Sequence, residues 1–180
     1  MKQTRQTTTK QDIRDALTQL LLTEPFESIS VSKLSRKAGI NRGTFYLHYL
    51  DKYDMMDKLK EEVITDLQAL YDPQVPASES IQCLLRYIQD NYQFIYAISQ
   101  SRFTDFSQTI KDFVLHILEG IPDYEERLEQ LYQIPISYAQ EVLLSCAESI
   151  FTTWIATGAK ESPEEIGQMF LTISRYEQLL

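Results

Sequence analysis

The chain has 180 residues, 43% of them apolar, enough for one or two small domains with a shared core and too many for a disordered chain. No run approaches the ~18–20 consecutive apolar residues of a membrane span, and Cys83 and Cys146 lie in apolar helical patterns without metal-ligand spacing, which reads as reduced core thiols. The net charge of −9 argues against a polyanionic partner until it is mapped: residues 1–60 hold 11 Lys and Arg against 7 Asp and Glu, and the rest hold 6 against 19, a basic head on an acidic body.

The opening MKQTRQTTTK has no apolar stretch behind its charges, so it reads as a short polar arm and not a leader. Thr8 or Thr9 can cap a first helix, with Gln11 or Asp12 in capping-box position. Ile13, Ala16, Leu17, Leu20 and Leu21 recur at helical spacing, and Pro25 ends the element. Phe26 and Ile29 are expected to plug the base of a three-helix head. Ser30 can cap a second helix whose apolar face is Val31, Leu34 and Ala38, and Gly39 can stop it in the left-handed conformation. Asn41 is a second cap, before a short helix from Arg42 to Tyr49, and Asp51 a third. Two short helices around a glycine turn are the helix-turn-helix pattern, whose second helix enters the major groove.

Met56, Leu59, Val63, Leu67 and Leu70 define a long helix from about Lys52 to Leu70, and the stretch from Tyr71 to Ala77, with Pro73 and Pro76, breaks it. One helix follows over Ile81, Leu84, Leu85, Ile88, Tyr92 and Ile95, and another over Phe106, Ile110, Phe113 and Ile117. Asp123 and Glu126 offer a capping box for a shorter helix. Pro135 opens a long one to about Ala156, and Ser162, Pro163 and Glu165 open the last. The expectation is an all-α fold of about nine helices: a helix-turn-helix DNA-binding head at 1–52, a connecting helix at 53–72 and a helical body at 73–180.

The segment Ser30 to Lys52, and AGINRGTFYLHYLDK (Ala38 to Lys52) above all, resembles the DNA-binding signature of the TetR family of bacterial transcriptional regulators. More loosely, Phe94 to Ser99 (FIYAIS), Phe103, the Trp154–Gly158 ending and Ser162-Pro163-Glu164-Glu165 resemble the C-terminal domain of the dihydroxyacetone-kinase activator group within that family. The resemblance implies a homodimer on double-stranded operator DNA, joined through its last two long helices, and makes 73–180 a ligand-sensing and dimerisation body.

Residue chemistry can be set beside that implication. Arg42 can reach guanine O6 and N7 with two bonds, and Thr44 can offer its methyl to thymine or its hydroxyl to a base or phosphate. Gly43 leaves the helix bare for close approach to the groove. By resemblance Tyr46 and His48 contact the sugar-phosphate backbone; Lys52, Ser30, Ser32 and Lys33 are phosphate candidates. Phe45 and Tyr49 are expected in the core. The helix from Pro135 to Ala156 is apolar on more than one side, which suits either a central core helix or one shared with a second subunit; the resemblance favours the second. Leu143, Ala147, Ile150 and Trp154 there, with Ile166, Phe170 and Ile173 on the last helix, are the expected dimer face.

Tyr92, Tyr96, Tyr138 and Trp154 are candidates for lining an effector pocket, each with a polar tip on an apolar body. No metal-ligand cluster, phosphate-cradling loop or nucleophile elbow is present, and His48 has only capping aspartates near it. No catalysis, cofactor or metal is therefore expected. The resulting expectation is a cytoplasmic DNA-binding regulator, a homodimeric repressor on a palindromic operator, answering to a small-molecule effector or a partner protein. The rival readings are a co-activator governed by a protein partner, and a helical ligand-binding or scaffold dimer without DNA binding.

Overall fold

The computed structural model describes residues 2–175 and 179. Among them are ten α-helices, one 3-10 turn and no strand. The chain forms two compact units, one built from the residues up to Gln68 together with Gln93–Thr104, the other from Ala69–Tyr92 and the residues from Asp105 on.

The first unit holds α1 (Lys2–Leu21), a 3-10 turn (Phe26–Ser28), α2 (Val31–Lys37), α3 (Arg42–Tyr46), nearly all of α4 (Lys52–Leu70) and α6 (Tyr92–Ser99). Helix α1 runs back to Lys2, through the stretch expected to be a polar arm, because nothing from Lys2 to Gln11 is a glycine or proline that would stop it. Ile13, Leu17, Phe26, Ile29, Leu34, Phe45, Met55, Met56 and Leu59 are closed from solvent and form its core. Burial of each such side chain contributes about 1.5–3 kcal/mol, which is what holds α2 and α3 together although both are too short to persist alone. The Arg14 guanidinium lies 4.3 Å from the Phe94 ring centroid, tying α1 to α6.

The local signals in the head act as their chemistry requires. Ser30 accepts from the Lys33 amide at 3.2 Å. Gly39 takes φ 68°, and the Ile40 amide returns to the Ser35 carbonyl at 2.9 Å, closing α2 in a Schellman motif. Asp51 Oδ1 accepts from the amides of Tyr53 and Asp54. Asn41 stands at the cap position of α3, but its side chain makes no capping bond. Helix α3 ends at Tyr46, sooner than the expected Tyr49.

The second unit holds α5 (Ala77–Asp90), α7 (Phe106–Glu119), α8 (Tyr124–Tyr132), α9 (Ile136–Ala156) and α10 (Pro163–Ser174). Helix α9 is central, packing on α7, α8 and α10, and α10 packs on α5. Ala139, Leu143, Leu144, Ala147, Trp154 and Ile155 are its buried side, with Phe151 against Phe170 at 5.5 Å between ring centroids. Ser162 and Glu165 form the reciprocal capping box at the start of α10, with Pro163 in its first turn.

Three expectations fail here for physical reasons. The single helix expected over Ile81 to Ile95 is divided at Asn91, whose side-chain amide donates to the Tyr87 carbonyl at 2.9 Å. This break makes the helix count ten. Asp123 is left-handed, at φ 56°, and makes no side-chain cap, so the capping box before α8 does not form. Cys83 is exposed, not a core thiol, while Cys146 is half-buried; both are free.

Candidate nucleic-acid interface

Asn41, Arg42, Gly43 and Tyr46 are exposed on and before α3, while Phe45 and Tyr49 point inward and anchor it. Their rings stand 5.4 Å apart between centroids. Burial pushes the Tyr49 phenol up to about 12, helped by the nearby charges of Glu62 and Asp54, so it stays neutral and structural. Arg42 Nη2 donates to Tyr46 Oη at 3.4 Å, and its guanidinium carbon is 5.9 Å from that ring centroid, a loose pairing along one exposed side of the helix. Thr44 and His48 are half-buried, with the His48 ring 6.1 Å from that of Tyr49. A Cβ placed on Gly43 would meet nothing within 4 Å, so the helix is bare there.

Three of the expected phosphate contacts are engaged within the chain. Ser30 spends its hydroxyl on the cap of α2. Lys33 pairs with Glu24 at 2.6 Å, and this partner, with the Ser28 hydroxyl, holds the Glu24 carboxyl below the usual carboxylate range. Lys52 Nζ donates to the carbonyls of Phe26 at 2.9 Å and Glu27 at 2.8 Å, committing two of its three protons. It also lies 4.8 and 5.2 Å from the Phe26 and Tyr53 ring centroids. Those two rings and Phe103 form a cluster with centroids 5.1–5.5 Å apart. Lys52 thus clamps the start of α4 to the turn after α1. Ser32 is exposed.

Of the aromatic candidates for an effector pocket, Tyr92 and Tyr96 stand one turn apart on α6. Tyr138 is 68% exposed near the start of α9, whereas Trp154 is buried near its other end, roughly 24 Å along the axis at 1.5 Å per residue. Trp154 donates its indole N–H to the Glu161 carbonyl at 3.0 Å, and Tyr92 its hydroxyl to the Ile155 carbonyl at 3.2 Å. The first closes the α9–α10 corner, and the second ties the start of α6 to the end of α9. An open cleft of about 600 Å³ does lie in this unit, but Arg86, Gln89, Asp90, Lys160 and the start of α10 line it.

Most of the expected dimer face is turned inward. Leu143, Ala147, Trp154, Ile166 and Phe170 are all buried within their own unit, and side chains with almost no accessible surface have none left to offer a second copy. Of the expected set, Ile150 is half-buried and Ile173 is 62% exposed. The apolar side chains that α9 and α10 do present are Tyr138, Val142, Met169 and Ile173.

A model of the regulatory proteins of the tetR family matches residues 13–59, and one of a transcriptional regulator C-terminal region matches residues 77–176, more than half of the chain. The chain belongs to the TetR family. Curated proteins give no match. Solved structures share the fold: a TetR transcriptional regulator from Streptococcus agalactiae 2603V, 23% identical with TM-score 0.68, covering 96% of this chain and 97% of its own. The dihydroxyacetone kinase operon activator DhaS is 18% identical with TM-score 0.63, covering 94% and 95%. The regulator FadR from Bacillus subtilis, solved with stearoyl-CoA, is 18% identical with TM-score 0.61, covering 91% and 97%.

As a TetR-type head, the first unit also presents residues that the motif did not single out. Arg36 and Lys37 are exposed in the last turn of α2, and Leu47 and Leu50 stand almost wholly in solvent after α3. The basic pair was visible as a charge cluster; the leucines were hidden by their apolar type, which reads as core. Among the described residues no helix is long and apolar enough to cross a membrane, and no group of three or more His, Cys, Asp or Glu could hold a metal ion.

Proposed function

We propose that this TetR-family, DNA-binding regulator acts in the cytoplasm as a homodimeric repressor on a two-fold symmetric operator, with its activity set through the second unit. The observation that carries the reading is the exposed set Arg42, Gly43 and Tyr46 on a helix anchored by buried Phe45 and Tyr49. Arg42 is the base reader, its loose bond to Tyr46 costing little to break. Thr44, Tyr46, His48 and Ser32, with Arg36 and Lys37, set position on the backbone. Ser30, Lys33 and Lys52 shape the head from within, the last with one proton left for a phosphate.

Dimerisation runs through the outer sides of α9 and α10. Tyr138, Val142, Met169 and Ile173 supply the apolar area, Ile150 flanks it, and exposed Ser149, Thr153 and Ala156 let a second helix approach closely. A symmetric pair presents each patch to its own copy and fixes the spacing of two heads, hence a palindromic site.

Control through the second unit follows from the chain path. Segment 93–104 is part of the first unit, yet both of its ends continue into the second. An effector or partner that shifts those ends pulls on Phe103 and the Phe26–Tyr53 cluster. Such a ligand must bind one arrangement better than the other, since equal affinity shifts nothing.

The test is selection of bound duplexes from random-sequence DNA, followed by binding of Arg42→Ala to every single-base variant of the selected site. The expected result is a symmetric site and a loss of about 1–3 kcal/mol at one base pair per half-site, with relaxed preference there. Unchanged preference at every position would remove Arg42 as a base reader.

A further inference from the structure

Leu47 is 82% exposed, the most exposed of the large apolar side chains among the described residues. A single exposed leucine is ordinary, but this one has an unusual setting. Leu47 is right-handed helical, with φ −75° and ψ −19°, and its amide donates to the Thr44 carbonyl at 3.3 Å, so the chain keeps its helical course one residue past α3. That places Leu47 one turn beyond Gly43, at i+4 and on the same side. The side is therefore bare at Gly43 and apolar at Leu47, with Arg42 and Tyr46 alongside. The same unit exposes the cations Arg36, Lys37 and Arg42, which complement a phosphate-lined groove.

On the base edges of the major groove, the thymine C5-methyl is the apolar group; the remaining features are hydrogen-bond donors and acceptors. We propose that Leu47 is a specificity residue that reads a thymine methyl in each half-site, with Gly43 allowing the backbone close enough for the contact. The inference rests on the DNA-binding reading above and sharpens it. The contact excludes water from the methyl and from the leucine tip, and it gives up no hydrogen bond on either side. Cytosine at the same position presents no methyl.

The test uses the full-length protein and its selected duplex, with each thymine replaced in turn by deoxyuridine. That change removes the methyl and leaves all the hydrogen-bonding groups. Wild-type protein is expected to lose about 4-fold in affinity at one position of a half-site, and roughly 15-fold when both half-sites are changed, the worth of one buried methyl each. Leu47→Ala, at a solvent-exposed position, is expected to bind the thymine and deoxyuridine duplexes equally. Restoring a methyl at that position with 5-methyldeoxycytidine in place of deoxycytidine should strengthen wild-type binding and leave Leu47→Ala unchanged. Insensitivity of the wild-type protein to every deoxyuridine, or a methyl preference that survives in Leu47→Ala, would overturn the assignment while leaving DNA binding intact. Failure of the wild-type protein to select any duplex would instead sink the DNA-binding reading, and this inference with it.

Discussion

Apolar side chains reach solvent in both units, and the two settings differ. In the head, Leu47 and Leu50 are more than four-fifths exposed and follow a helix that also exposes Arg42 and Tyr46. On α9 and α10, Tyr138, Val142, Met169 and Ile173 extend along two helices that pack on each other. An isolated leucine in a polar field suits a partner that is itself polar, with one apolar group to match. A run of apolar side chains along paired helices suits another copy of the same helices. Exposure alone distinguishes neither; the neighbours do.

The comparison can be broken most forcefully on α9, where a buried stripe and an exposed one share a helix. Leu143→Ala should lower the free energy of unfolding by about 2–5 kcal/mol in urea, with the sedimentation mass of the folded protein unchanged. The double substitution Val142→Ala and Ile173→Ala should raise the dimer dissociation constant by roughly 100-fold or more, with little change within each protomer. The reverse pattern would return the interface to the stripe of Leu143, Ala147 and Trp154.

A smaller effect sharpens the head side. Lys52→Met should cost about 1–2 kcal/mol of stability, less than a fully buried charged hydrogen-bond pair because Lys52 is only half-buried. Its salt dependence of DNA binding should shift less than that of Lys37→Ala, since Lys37 has no described tie inside the chain and Lys52 has two. Equal changes in salt slope would place Lys52 on the phosphate.

The smallest effect is in acid. The Leu50 amide and then Lys58 hold the Asp54 carboxyl below its ordinary value of 3.8, and Lys33 and Ser28 do the same for Glu24 below 4.5. A group with a lowered folded value stabilises the head above its unfolded value, and that contribution is lost as pH falls through the folded one. Asp54→Asn should therefore lower head stability slightly at neutral pH and flatten its further loss below about pH 4, measured by thermal melts across an acid series.

What the sequence made legible divides along the same line. Ser30, Gly39, Asp51 and the Ser162-Pro163-Glu165 start could be read because each acts on its own neighbours, by a cap or a left-handed turn. The division at Asn91 was not legible, since apolar spacing continues from Leu85 through Tyr92 to Ile95 and only one side-chain bond marks the break. The burial of the expected dimer stripe was not legible for a related reason. Periodicity shows which side of α9 is apolar, but α7, α8 and α10 decide what covers it. Lys52 was legible as a position in a motif, and its partners Phe26 and Glu27, 26 and 25 residues away, were not.

If two copies of this chain hold one duplex through α3, titrating the purified protein onto its selected duplex across a salt series, with stoichiometry measured in the same solution, shows it at once. Two protomers, or a multiple, are expected per site, with affinity that falls steeply as salt rises. Binding by a single protomer, or affinity that neither prefers the selected sequence nor responds to salt, would overturn the two-fold assembly on DNA.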